Sequence, residues 1–144
     1  MKRLFSAAGL FTVLASTTYS YGQTSVAQAD IPFPFQAGET TMPAGKYIVR
    51  ESGDLLTVRS ETGKSGIMIL TLPAEHRSKA SHPSLEFQRY GRDYFLTKIW
   101  HGGAQDGRAL PVSNRQRELA RRATFERTEQ VALQTDSSHV HNVK

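Results

Sequence analysis

The histidines, which commonly serve as metal ligands and acid–base groups, do not form a recognisable motif. His76 and His82 are six residues apart in a polar stretch, His101 precedes a glycine-rich loop, and no HExxH sequence occurs. His139 and His141 could present two imidazoles on one side of an extended segment, whereas a zinc site takes three or four ligands from an ordered frame. We therefore expect no metal and no cofactor.

Nucleophile and phosphate-binding motifs are absent as well. The chain contains no cysteine, no GxSxG and no SxxK sequence. Gly63-Lys64-Ser65 resembles the end of a phosphate-binding loop, but that motif needs a glycine where Val58 stands. The tripeptide also lies between two apolar runs instead of before a helix, so we expect a hairpin turn here.

Two carboxylates, Glu86 and Asp93, could face each other across a hairpin, as the acid pair of a polysaccharide hydrolase would. Basic cross-strand partners such as Arg89, Arg92 and Lys98 account for these carboxylates more simply. We therefore expect that the protein is not an enzyme and that it has no catalytic residues. A hydrolase is the weakest of the functional hypotheses.

The candidate surface for a ligand or partner combines aromatic and basic side chains. In a strand, Tyr94, Leu96 and Trp100 would share one face and could enclose an apolar molecule, although core packing is the simpler interpretation. Arg117 and Arg121 belong to a basic stretch in which acidic residues are interleaved, as on a solvated helix face. No aromatic residues interleave this stretch, so we expect no nucleic-acid binding.

The first 22 residues have the three parts of a secretory signal peptide. A positive start, residues 1–3, precedes an uncharged stretch, Leu4–Ser16, and a small polar exit, residues 17–22. The apolar stretch is too short for a transmembrane helix, which needs about 20 residues. We predict cleavage before Gln23, with a second site before Asp30, and hence no membrane anchor in the mature protein.

The mature chain, residues 23–144, has the length of one domain. Removing the 22 signal residues from 144 leaves 122, which suffices for a core of its own. Loss of Lys2 and Arg3 lowers the formal net charge from +5 to +3. Without cysteines, the domain has no disulfide and no lipid-bearing cysteine. We expect a periplasmic or extracellular protein.

Short apolar runs separated by turn residues indicate an all-β fold. The runs are residues 29–36, Lys46–Glu51, Leu55–Ser60, Ile67–Leu72, Leu85–Tyr90 and Tyr94–Trp100. They predict an antiparallel β-sandwich or small β-barrel of six to eight strands, from about Ser25 to His101. Pro32 and Pro34 cannot donate to a ladder, so the first run should be an edge strand or be only half paired. Gly91-Arg92-Asp93 indicates a tight hairpin.

One helix and a polar tail follow the strands. Ser113 and Gln116 form a capping box, which predicts a helix from Asn114 to about Thr124. The β-rich domain with this helix then covers residues 23–127. Residues 128–144 are mostly polar without a clear period, and we expect them to be disordered.

Several phrases taken together resemble a group of small exported proteins of acidobacteria and related soil bacteria. The phrases are Ile31–Phe35, Met42–Tyr47, Arg89–Leu96, Ile99-Trp100, Gly107–Pro111 and Arg117–Arg121. They match the pattern PFxF, LPAGxY, RYGxxYFL, a tryptophan and RELAR, except that Met42 stands where leucine is usual. The resemblance implies export and a single β domain, and it supplies no activity and no functional residues.

These observations leave three functional hypotheses. The leading one is a non-enzymatic envelope or extracellular protein that binds a partner or contributes to surface structure. The partner could be a protein, a polysaccharide or a small apolar ligand, and unpaired edge strands would allow self-assembly. The second is a small-ligand carrier, with the ligand inside a barrel. The third is the hydrolase.

Overall fold

The computed structural model describes residues 24–75, 82–103, 105–122 and 127–135. In chain order the elements are β1 Thr24–Ile31, β2 Phe35–Ala37, β3 Thr40–Met42, β4 Gly45–Ser52, β5 Leu55–Ser60, β6 Gly66–Leu70, β7 Leu72–Glu75, β8 Ser84–Tyr90, β9 Asp93–Trp100, β10 Asp106–Ala109, α1 Asn114–Arg122, β11 Arg127–Ala132 and β12 Gln134–Thr135. They form two sheets and one short helix. The sheets do not close into a barrel, so the predicted all-β sandwich is confirmed.

The first sheet has the order β12-β1-β4-β5-β6, and all its pairs are antiparallel. The second sheet has the order β11-β8-β9-β10-β7. Its β9 meets three strands, because β10 pairs with its last residues and β2 lies parallel to it at Phe95. β3 pairs only with β2.

The two predicted hairpins are present. β5 and β6 pair around the loop of residues 61–65, which contains Gly63 with φ of 73°, so this loop is a turn between strands. β8 and β9 pair up to Tyr90 and Asp93, which leaves Gly91 and Arg92 as a two-residue turn. Gly91 has φ of 62°, a backbone conformation that glycine adopts without steric cost.

The first apolar run is two strands instead of one edge strand. Ile31 ends β1 in the first sheet, and Phe35 begins β2 in the second sheet. Pro32 and Pro34 lie in the link between them. Because proline has no amide hydrogen to donate, the ladder stops here and the chain crosses from one sheet to the other.

The predicted disordered tail is wrong for its first part. Residues 127–132 form β11, which pairs with the free side of β8, and residues 134–135 form β12 against β1. Leu133, between them, is partly buried against the core, and its amide donates to the carbonyl oxygen of Pro83 (2.9 Å). This segment therefore joins the two sheets along one side. Residues 136–144 lie outside the described residues.

The number of strands exceeds the predicted six to eight, because the described residues contain twelve. Most of the additional ones are short: β2, β3, β7, β10 and β12 have four residues or fewer, whereas β11 has six. Strands of two to four residues are too short for a period of two to mark them in the sequence.

Apolar side chains from both sheets fill the space between them. The buried cluster contains Ala29, Ile31, Phe35, Ala37, Met42, Tyr47, Val49, Leu56, Val58, Leu85, Phe87, Leu96, Ile99 and Leu110. Phe87 meets Phe33 and Phe35 edge to face, with ring centroids 5.1 and 5.4 Å away. Because the chain has no disulfide, these contacts supply the main stabilisation of the fold.

The helix α1 begins as the capping box predicts. The amide of Gln116 donates to the Ser113 hydroxyl (3.1 Å), which satisfies one of the unpaired donors of the first turn. The Gln116 side chain is buried and donates through Nε2 to the Oε1 atom of Gln88 on β8 (2.9 Å). A polar contact thus attaches the helix to the second sheet. The predicted end at Thr124 lies outside the described residues.

Candidate functional site: the cavity at one end of the sandwich

The three predicted ligand residues of β9 do not share one face. In the pairing of β8 with β9, Phe87 lies opposite Leu96 while Glu86 lies opposite Lys98, so Thr97 is an extra residue, a β-bulge. Side chains alternate regularly on each side of the bulge and change face across it. Leu96 therefore points into the core, whereas Trp100 points to the opposite face of the sheet.

The contacts of these side chains agree with structural roles. Leu96 is buried in the core cluster, and the Tyr94 ring stacks on Phe33 with the centroids 3.8 Å apart. Trp100 is 2% exposed, and its Nε1–H donates to Oε2 of Glu86 (2.6 Å). The β9 surface that would enclose a ligand in a barrel is therefore occupied by packing contacts.

The carboxylates that suggested a hydrolase are held apart. Asp93 pairs with Tyr90 at the turn, whereas Glu86 pairs with Lys98 four residues further along β8, a separation of roughly 13 Å at the usual rise of a strand. Glu86 is 6% exposed and also accepts a hydrogen bond from Nζ of Lys98 (3.0 Å). Neither carboxylate faces the other as an acid pair would.

The predicted basic residues Arg117 and Arg121 are exposed on α1. Arg117 donates to the side-chain oxygen of Asn114 (3.1 Å), and Arg122 forms an i,i+4 ion pair with Glu118. They line a shallow groove along the helix. This agrees with a solvated helix face and does not bring the arginines near Tyr94, Leu96 or Trp100 in any contact of the described residues.

A cavity of about 400 Å³ lies at one end of the sandwich. Its apolar walls come from both sheets and from the segment that joins them. The lining residues are Ala27, Val49, Pro83, Ile99, Trp100, Leu133 and, on the polar side, Glu51, His101, Gly102 and Thr135.

Glu51, His101 and Asp106 form a charged group beside the cavity. The Nε2 atom of His101 lies 2.8 Å from Oε2 of Glu51, and its Nδ1 atom lies 3.2 Å from Oδ2 of Asp106. The Glu51 side chain is largely buried, with 15% of it exposed, whereas the Asp106 side chain is 71% exposed. The imidazole therefore connects a carboxylate at the cavity wall with one in solvent.

The surroundings favour the protonated imidazole. Burial lowers the pKa of His101, but the hydrogen bond and the charge of Glu51, followed by those of Asp106, outweigh it, so the pKa is raised above its ordinary value. Both ring nitrogens then donate to carboxylates. The other charged residues that border the adjoining groove are Glu75 and Arg108, and Arg108 itself binds Asp54.

This group is not arranged as a metal site. The two carboxylates lie at opposite ring nitrogens, so they do not converge on a common point. Within the described ranges, no three His, Asp or Glu side chains are placed to hold a metal ion. His76, His139 and His141 lie outside those ranges.

Sequence reasoning did not assign a role to Glu51, His101 or Asp106. Glu51 and His101 are 50 positions apart, at the ends of two strands in different sheets, and neither belongs to a local motif. Their proximity depends on how the sheets stack. The one available signal was the position of His101 directly after a strand that carries apolar residues on both faces.

Comparison of the chain with protein-family models, curated proteins and solved structures found no match. In the part of the chain that the structure describes, no helix has the length and apolar character needed to cross a membrane.

We expect the buried Glu86 carboxylate to be essential for stability. Glu86→Ala removes the acceptor of two hydrogen bonds, from Lys98 and Trp100, and should lower the free energy of unfolding by about 2–4 kcal/mol. The exposed Glu61→Ala is the control and should change it by no more than about 0.5 kcal/mol. Urea unfolding followed by circular dichroism measures both. Equal stability of the two variants would contradict the structural role assigned to the Glu86 carboxylate.

The raised pKa of His101 predicts a pH-dependent stability. Protonated His101 stabilises the folded state below the ordinary histidine value of about 6.5, and this contribution is lost as the pH rises through the higher folded-state pKa. The stability difference between the wild type and His101→Gln should therefore shrink with rising pH, by on the order of 0.5 kcal/mol for this partly exposed group. His82→Gln, at an exposed histidine, is the control. A difference that stays constant with pH would contradict the assigned ion pair.

Proposed function

We propose that the protein is an exported, non-enzymatic β-domain that acts by binding, and that the end cavity is its site for a small, largely apolar ligand. The observation that supports this most directly is the cavity itself. Its volume of about 400 Å³ lies within the range of small-molecule sites, roughly 300–1,000 Å³. Such sites typically combine apolar walls with a few polar groups, as here.

The lining indicates the chemical class of the ligand. Its apolar body would contact Val49, Ile99 and Leu133, and its polar end would lie beside Glu51 and His101. The carboxylates of Glu51 and Asp106 flank the imidazole of His101, so hydrogen-bond acceptors predominate at this end. A neutral or cationic polar group such as a hydroxyl or an amine fits better than an acid.

In this proposal the ligand lies in the end cavity, whereas in a barrel carrier it would lie against the β9 face of Tyr94, Leu96 and Trp100. Of Tyr94, Leu96 and Trp100, only Trp100 borders the cavity. A second function, assembly with a partner or into a surface structure, is favoured by a different observation, the exposed apolar residues of β6. The separation of Glu86 and Asp93 removes the geometric motivation for a hydrolase.

Export is proposed from the N-terminal pattern and from the resemblance to small exported proteins, with the periplasm or the medium as destination. The position of β1 bears on the choice of cleavage site. Removal of residues up to Ala29 would delete six of the eight residues of β1, which pair with β4 and bury Ala27 and Ala29. Cleavage before Gln23 keeps this strand whole.

We therefore predict that the mature protein begins at Gln23. The intact mass of the protein purified from the envelope or culture medium, together with N-terminal sequencing, tests this directly. A chain that begins at Asp30 and is folded would show that β1 is dispensable. A chain that retains Met1 would contradict export by signal cleavage.

Ligand binding can be tested with N-phenyl-1-naphthylamine, a neutral apolar amine of suitable size. Trp100 is the only tryptophan and borders the cavity, so binding should quench its emission by energy transfer to the probe. Ala27→Leu would occupy part of the cavity and should weaken binding at least tenfold. Ala44→Leu, at an exposed turn residue, is the matched control and should bind as the wild type does.

Circular dichroism and thermal unfolding establish that both leucine variants fold. If folded Ala27→Leu binds the probe as tightly as Ala44→Leu, the cavity is not the binding site. If the wild type does not bind, the ligand class proposed here is wrong.

A further inference from the structure

The edge strand β6 exposes a continuous apolar sequence. Residues 66–70 (GIMIL) include no charged side chain. Met68 is 70% exposed and Leu70 is 67% exposed, while Ile67 and Ile69 pack against the core from the other face. No strand among the described residues pairs with the outer side of β6. Long apolar edges of this kind readily add a further strand.

The other outer edges of the two sheets carry features that discourage strand addition. β7 contains Pro73 and Glu75, and β12 has only two residues. β11 carries Arg127 and Glu129. β3, which pairs only with β2, has three residues. Among these five edges, β6 alone lacks proline and charge and is five residues long. This contrast indicates that the β6 edge accommodates a strand.

The hydrogen-bond register defines which backbone groups are available. After the last residue of β6, the Thr71 amide donates to the carbonyl oxygen of Asp54 (2.8 Å). Before its first residue, the carbonyl oxygen of Ser65 accepts from the amide of Ser60 (2.7 Å). In an antiparallel ladder such pairs alternate, so Ile67 and Ile69 also direct their backbone groups to β5. The intervening residues Gly66, Met68 and Leu70 therefore direct N–H and C=O groups outward.

We propose that two copies of this chain associate by antiparallel pairing of their β6 strands about a two-fold axis at Met68. This register sets Met68 opposite Met68 and Gly66 opposite Leu70, so every outward backbone group on these three residues meets a partner. Gly66 has no side chain and leaves room for the exposed Leu70 of the other copy. The two five-stranded sheets join into one sheet of ten strands.

A second copy is the occupant that the edge itself favours. An uncharged strand offers no ionic recognition to a charged partner, whereas its own sequence satisfies both the hydrogen-bond spacing and the steric pairing of glycine with leucine. The junction involves only five residues of each chain, which is less than a standard interface. The dimer is therefore weak, with a dissociation constant in the micromolar range.

Cysteine cross-linking tests the register, because the natural chain contains no cysteine. In the proposed pairing the two Cα atoms at position 68 lie about 5.5 Å apart, within disulfide range. Under mild oxidation Met68→Cys should form a disulfide-linked dimer. Leu70→Cys, with similar exposure, should not, because the two positions 70 are four residues apart along the paired strands, roughly 13 Å.

Sedimentation equilibrium of the full mature protein measures the association without cross-linking. Met68→Lys places two like charges side by side and should raise the dissociation constant at least tenfold, whereas Val26→Lys, on the same face of β1, should not change it. A monomer up to high micromolar concentration, or equal cross-linking of the two cysteine variants, would overturn the proposal. Probe binding in the cavity is measured separately, so failure of one proposal leaves the other testable.

Discussion

The extra residue Thr97 in β9 sets the arrangement of much of the second sheet. Before the bulge, Leu96 enters the core opposite Phe87, and after it Ile99 does so opposite Leu85. Without the bulge, the alternation would send Ile99 out of the core and bring Lys98 into it, at a cost in desolvation of several kcal/mol per ion in a typical interior. The Thr97 hydroxyl stabilises the irregularity by donating to the carbonyl oxygen of Glu86 (3.1 Å).

The same bulge creates the polar contacts on the outer face of the sheet. It places Lys98 and Trp100 on the side of Glu86, where the carboxylate accepts a hydrogen bond from each. Trp100 in turn covers Gly107 on β10, where any side chain would collide with the Ile99 carbonyl oxygen and the indole ring. β9 then ends directly after Trp100, so His101 reaches the Glu51 carboxylate at the end of β4. The site is thus a consequence of how β9 is paired.

Local chemistry explains which parts of the fold could be predicted. Gly91 and Gly63 mark turns whose geometry depends on a few neighbouring residues, so both hairpins were predicted correctly, and Ser113 marked the start of the helix. Pro32 and Pro34 were correctly interpreted as breaks in a ladder but not as a crossing between sheets. β11 is too polar to suggest a strand, because its stability comes from the unpaired edge of β8. The approach of His101 to Glu51 depends on sheet stacking, which no local pattern records.

The two binding surfaces lie at different places in the first sheet. The cavity is bordered by residues of β1, β4 and β12, which are on one side of the strand order, whereas β6 forms the opposite edge. β5 separates β6 from β4, and its buried Leu56 and Val58 pack into the core without lining the cavity. Association through β6 would therefore leave both cavities accessible. A dimer of this geometry presents two equivalent ligand sites, and because no strand borders both surfaces, ligand affinity should not depend on protein concentration.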